Sequence, residues 1–185
     1  MADKKQSDIK AKKQSDIKKE LIKEKKEGET ASKKASDLAK LAEKTESILE
    51  NIQGEATSET AQVMESAAAA FQAGIEKRYL EAEQKSESVN ESLEDKQQKF
   101  DEGVIADQAD ISSLSKLKTE AKKAGVSVEN IAAAEKAKQK EVKFLTTEST
   151  SVETSQKEIE KNLKDAKARR KSTRSTYQSK NTLGS

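Results

Sequence analysis

The residues that carry most acid–base and nucleophilic chemistry are missing: the 185-residue chain has no histidine and no cysteine. Without imidazole there is no Ser–His relay, and without a thiol there is no sulfur nucleophile, disulfide or thiolate metal site. Carboxylates and amines remain. Asp107 and Asp110 stand three apart, at what reads as a helix start, where two acids complement the helix dipole more readily than they hold a metal. Other acids alternate with lysines, as on solvated helix faces. No glycine-rich phosphate loop occurs. The expectation is a non-enzyme, with no catalytic residue, metal, cofactor or small-molecule substrate.

The densest charge lies near the C-terminus. Residues 164–185 hold seven basic side chains and one acid, with Arg169, Arg170, Lys171 and Arg174 at the centre. Cations there offset the negative end of a helix dipole. They also suit a nucleic acid or an anionic membrane, although Tyr177 is the only aromatic nearby for stacking on bases. Net charge runs +4 over 1–27, −8 over 28–163 and +6 over 164–185. The ends could therefore meet the acidic middle of another copy, in a salt-sensitive way.

The elements that position these groups must be helices. Proline is absent, aromatics are 3%, apolar residues 32% and charged residues 38%. So few large side chains cannot fill a thick core, but they can fill a thin seam between helices. The fold class expected is all-α, an elongated antiparallel helical hairpin or bundle with coiled-coil packing. No apolar run approaches the ~20 residues of a membrane span, and the first 27 residues lack the apolar core of a signal peptide. The chain is expected in the cytoplasm, or exported without a cleaved leader, and not across a membrane.

Three regions are expected. Residues 1–27 carry the repeat KKQSDIK at 4–10 and 12–18 and read as a basic, marginal helix ended by Gly28, with Thr30 capping the next. Residues 28–174 read as the long-helix bundle, and 175–185 as a disordered tail. Within the bundle, Leu38, Leu41, Thr45, Ile48 and Ile52 keep 3-4 spacing. After Gly54 a second seam runs through Val63, Ala67, Phe71, Ile75, Tyr79, Ala82, Val89, Leu93 and Phe100. Gly103 is expected to break that helix. A shorter one then faces Ile111, Leu114, Leu117 and Ala121 inward and ends at Gly125. Ser127 caps the last helix, whose seam is Val142, Leu145, Val152, Ile159, Leu163 and Ala166. Thr45, Ser86, Ser149 and Gln156 are polar interruptions, which favours an oligomer or hetero-complex over a monomer.

Residues 30–83 read as helix, Ile52-Gln53-Gly54 turn, helix, then Tyr79-Leu80-Glu81-Ala82-Glu83. This stretch resembles the Trp-x-Gly helical-hairpin proteins, and their Leu-x-Gly relatives, of bacterial type VII secretion, with Ile52 in place of Trp or Leu. The resemblance implies that Ile52 and Gly54 form the hairpin turn and that Tyr79 with Glu83 forms a Tyr-x-x-x-Glu export motif. It implies export as a paired helical partner. The combined expectation is a non-enzymatic helical interaction protein: a bacterial secretion-associated substrate, partner or assembly subunit that works by coiled-coil docking to a protein partner or to itself. The alternatives are a basic-tailed binder of nucleic acid or anionic membrane, or a phage or injection-machine scaffold.

Overall fold

In the computed structural model the backbone is described for residues 2–53 and 58–183, and side chains for 12–51, 60 and 62–171. The chain forms three helices, α1 (Ala2–Gln53), α2 (Ser58–Lys123) and α3 (Glu129–Leu183). They pack against one another as an all-α helical bundle, as the composition requires. Many hydroxyl residues sit inside these helices without breaking them. Thr45, Thr119, Thr146, Thr147, Thr150 and Thr154 each donate to the carbonyl four residues back, at 2.7–3.0 Å. A hydroxyl used this way no longer competes with the helical ladder for a neighbouring amide.

Gly28 and Gly103, expected to end helices, lie inside α1 and α2. Each marks a close approach. A Cβ at Gly28 would stand 2.6 Å from Ile159 Cδ1 and 2.8 Å from Val89 Cγ1, and one at Gly103 would stand 2.9 Å from Leu145 Cδ1. Packing against neighbouring helices outweighs the ~1 kcal/mol that an interior glycine costs. The short helix expected after Gly103 is therefore the C-terminal part of α2.

Gly125 does end α2, with φ +70°. Val126 N–H donates to Ala121 O at 2.9 Å and Gly125 N–H to Lys122 O at 3.2 Å, the paired bonds of a Schellman cap. Lys122 and Lys123 sit in the last turn, where cations favour the dipole. The carbonyl accepting the first bond of α3 is that of Val128, from Ala132 N–H, so the cap falls one residue after the expected Ser127.

The chain divides into two compact units. The first joins Met1–Glu20 with Glu91–Gln156. Its core holds Leu93, Phe100 and Val152, with buried polar Asp107, Glu148, Ser149, Ser155 and Gln156. Ser149 donates to Asp101 at 2.7 Å. Lys118 pairs with Glu135 at 2.7 Å and Lys96 with Glu20 at 3.3 Å. Val142, Leu145, Ile111, Leu114 and Ala121 are half-buried. Leu117, expected inward, is exposed.

The second unit joins Leu21–Asn90 with Lys157–Ser185. Here α2 runs antiparallel to both neighbours: Gly28 lies by Val89, and Gln72 donates to Ala42 O at 3.3 Å. Its core holds Leu21, Ile75, Tyr79, Ala82, Ile159, Leu163 and Ala166. On α1 the buried positions after Leu21 are Gly28, Ala31, Ser32, Ala35, Ser36 and Ala39. That is a 3-4 repeat of small residues, and it lets backbones approach closely.

Two predictions follow from the glycines. Gly28→Leu should lower unfolding free energy by about 2 kcal/mol or more through overpacking against Val89 and Ile159. Gly125→Ala should cost about 1–2 kcal/mol through its left-handed backbone, although a Cβ there meets nothing within 4 Å. Chemical denaturation of both variants against the parent chain measures each.

Candidate interaction face

Tyr79 projects from α2 into the second unit and is 1% exposed. Arg170 of α3 lies over its ring, 4.4 Å from the centroid. The guanidinium grips Glu76 with two of its nitrogens, Nε at 2.8 Å, and reaches Glu83 at 3.7 Å. Lys167 adds Glu87 at 2.6 Å and Glu83 at 3.4 Å. One turn of α3 thus neutralises three acids spaced along one face of α2. Arg169 points the other way, to Glu43 of α1 at 2.7 Å and Asp165 at 3.1 Å. Ser36 completes Asp165 at 3.1 Å, and Arg169 followed by Ser36 holds that carboxyl below the ordinary carboxylate range.

These contacts place the sequence candidates. Of the basic tail, Arg169 and Arg170 are engaged by acids of α1 and α2, and Lys171 is exposed. The Arg174 side chain lies outside the described residues, as do the Ile52 side chain and Gly54 of the expected turn. Tyr79 and Glu83 are together, but under Arg170. The Tyr79 hydroxyl is buried and has no hydrogen-bond partner of good geometry. Burial, and then the Glu83 carboxylate, push its pKa up to about 12. In the first unit, Asp107 and Asp110 lie within α2 rather than at a helix start, because Gly103 does not break it. Lys138 bridges them at 2.5 and 2.8 Å and is itself raised, first by Asp107 and then by Asp110. An ammonium occupies the place a cation would take. Among the described residues no group of three or more acids is arranged to hold a metal, and no helix is long and apolar enough to cross a membrane.

The seam residues divide into two sets. Ile75, Leu93, Phe100, Val152, Ile159 and Leu163 are buried, and Leu38, Val89, Val142 and Leu145 are half-buried. Leu41, Ile48, Val63 and Phe71 are not interior: they are 41%, 57%, 70% and 51% exposed. The physical reason is the small-residue stripe. At about 100° per residue, Leu41 and Ile48 lie about 180° round α1 from Ala39. Once Ala35 and Ala39 take the interior, the leucine stripe must face out. Sequence reasoning missed this inner stripe, whose signal was the 3-4 spacing of Gly, Ala and Ser over 28–39.

On α2, Val63, Ala67, Ala70 and Gly74 form a second exposed stripe of 3-4 spacing, and a Cβ at Gly74 would meet nothing within 4 Å. Between Thr60 and Ile75 the only charge is Glu65. The direction of each stripe follows from the contacts. Glu27 and Gly28 turn toward α2, and Ser36 and Glu43 toward α3. On α2, Lys85 and Val89 turn toward α1, and Glu76 and Glu83 toward α3. Leu41, Thr45 and Ile48 then share one side of the α1–α2 hairpin with Val63, Ala67, Ala70 and Gly74, the side away from α3. The Thr45 hydroxyl is spent on Leu41 O, so that position contributes its methyl. The result is an apolar face on a chain that is 38% charged.

Replacing Arg170 with Gln should destabilise the fold by about 2 kcal/mol, since it removes charged hydrogen bonds to Glu76 and the ring contact. Tyr79→Phe should be nearly neutral at pH 7, because its hydroxyl has no bond to lose. Because the folded pKa is raised, the phenol leaves stability unchanged below pH 10 and lowers it as pH rises from 10 toward 12, where the unfolded chain ionises first. Thermal unfolding of both chains across that window should show the parent losing stability relative to the Phe variant. No protein-family model, curated protein or solved structure matches this chain.

Proposed function

We propose that this chain is a non-enzymatic docking protein whose exposed apolar face on the α1–α2 hairpin takes a further helix. The observation that carries the reading is the pair of stripes, Leu41-Thr45-Ile48 and Val63-Ala67-Ala70-Gly74, side by side and turned away from the interior. Neighbouring 3-4 stripes on two antiparallel helices form a groove of the kind that receives an amphipathic helix. Grouped apolar exposure of this sort marks an interaction site, whereas single exposed leucines do not.

The other readings have less support. Binding of nucleic acid or anionic membrane through the basic tail would compete with Glu43, Asp165 and Glu76 for Arg169 and Arg170. Use of Tyr79 as an export signal would require drawing a buried ring out from under Arg170. An association with bacterial secretion rests on the resemblance of residues 30–83 alone.

The absence of cysteine makes a direct test simple. Ile48→Cys carries one polarity-sensitive dye, and Glu160→Cys, on an exposed face of α3, carries the same dye as control. In dilute solution both dyes should be quenched by an aqueous quencher. In an extract of the native host, or at high protein concentration, the dye at 48 should become shielded and the dye at 160 should not. Equal quenching at both positions under every condition would sink the reading. Leu41 and Ile48 are 41% and 57% exposed, so each Ser variant should cost only about 1 kcal/mol, below a core truncation.

A further inference from the structure

The docking face carries its own complement. We propose that its occupant is a second copy of this chain, placed by a two-fold axis parallel to the helices so that α1 of each copy lies over α2 of the other. The inference rests on the docking reading above and names its partner.

An isologous interface needs one patch that is complementary to itself. Here the larger side chains and the hollows sit side by side. Leu41 and Ile48 on α1 are the knobs; Ala67, Ala70 and Gly74 on α2 are the hollows, flanked by the exposed Val63 and Phe71. A two-fold axis along the helices exchanges the two columns, and each knob column then meets a hollow column. The same fit already operates inside the second unit, where Gly28 receives Val89 and Ile159.

Rotation about an axis parallel to the helices keeps each residue at its own height. Within the chain Gln72 reaches Ala42 O, which fixes what lies level with what. Leu41 then comes over Ala70 and Gly74 of the other copy, and Ile48 over Val63 and Ala67.

Charge, which plays no part in placing the axis, agrees with it. Moving along the same outer faces past Leu41, α1 presents Asp37 and Lys34, and α2 presents Lys77 and Glu81, all exposed. In the register just fixed, Asp37 lies opposite Lys77 and Lys34 opposite Glu81, so two pairs of opposite sign form on each side of the two-fold axis, all at the same end of the apolar patch. Asp37 is otherwise held only loosely, by Lys40 at 3.8 Å on its own helix. A foreign helix could fill the groove, but nothing would require it to reproduce this charge order.

Three measurements on the purified full chain test the arrangement. Light scattering over a concentration series should show a dimer, and Leu41→Ser with Ile48→Ser should weaken it by roughly tenfold or more with helix content unchanged. Asp37→Lys or Lys77→Asp alone should weaken the dimer, and the two together should restore it. Ile48→Cys chains mixed with Ala67→Cys chains should form an intermolecular disulfide, whereas Ile48→Cys chains alone should not, since those positions lie on opposite diagonals. A chain that stays monomeric at every concentration overturns the second copy, while dye shielding at residue 48 in host extract would leave the docking reading standing. A dimer indifferent to the Ser variants, the charge exchange and the cysteine pair overturns both.

Discussion

The second unit depends on the closeness of α1 to its two neighbours. Over residues 28–39 the inward positions of α1 are Gly, Ala and Ser, and a Cβ at Gly28 would already crowd Val89 and Ile159. Small residues fill little volume, so the interior is filled from the other side, by Tyr79 and Ile75 of α2 and by Ile159 and Leu163 of α3. Dispersion contact depends on the near absence of gaps, and a close backbone lets these few large side chains meet atoms on all sides. A chain with only 3% aromatic residues reaches native packing more readily by narrowing the space than by filling a wide one.

So thin an interior leaves much of the helix pairing to polar contacts at its margins. Exposed ion pairs contribute little individually. Arg170 differs because its side chain is only 17% exposed and the Tyr79 ring lies beneath it. Its grip on Glu76 and Glu83, with Lys167 on Glu83 and Glu87, fixes α3 along the acidic edge of α2. In the first unit Lys138 does comparable work, compensating the buried carboxylate of Asp107, which would be costly to leave alone. Ser86 in the second unit lacks such compensation: its hydroxyl is buried without a partner.

How much of this was legible in the sequence depended on whether one stripe competed with another. On α3 a single apolar repeat exists, and Val152, Ile159, Leu163 and Ala166 are buried as their spacing predicts. On α2 Ile75, Tyr79, Ala82, Leu93 and Phe100 are likewise buried, whereas Leu117 is exposed. The end of α2 was also legible, because only a glycine suits the backbone at position 125. On α1 two 3-4 repeats run side by side, and reasoning from hydrophobicity favours Leu38 and Leu41 over Ala35 and Ala39. Burial goes instead to the stripe that permits close approach, a property of the whole helix pair that no residue scale contains. Gly28 and Gly103 were misread for the same reason: a glycine that admits a neighbour's side chain and a glycine that ends a helix look alike until the neighbour is known.

The exposed face follows from that competition. A helix with one apolar stripe has one interior side and one wet side. Along 28–48, α1 has two, on either flank of Leu38, so its apolar arc is wider than a single seam can cover. Such a helix belongs between two layers. Within the chain it has one layer, α2 and α3, on the Ala35–Ala39 side. On the Leu41–Ile48 side the back-bonded hydroxyl of Thr45 removes the one polar group that would call for water, and α2 continues the surface with Ala67, Ala70 and Gly74. Burying such a surface under a further helix would remove apolar area from water as the first layer does, and on the docking reading proposed above that is the role of the leucine repeat of α1.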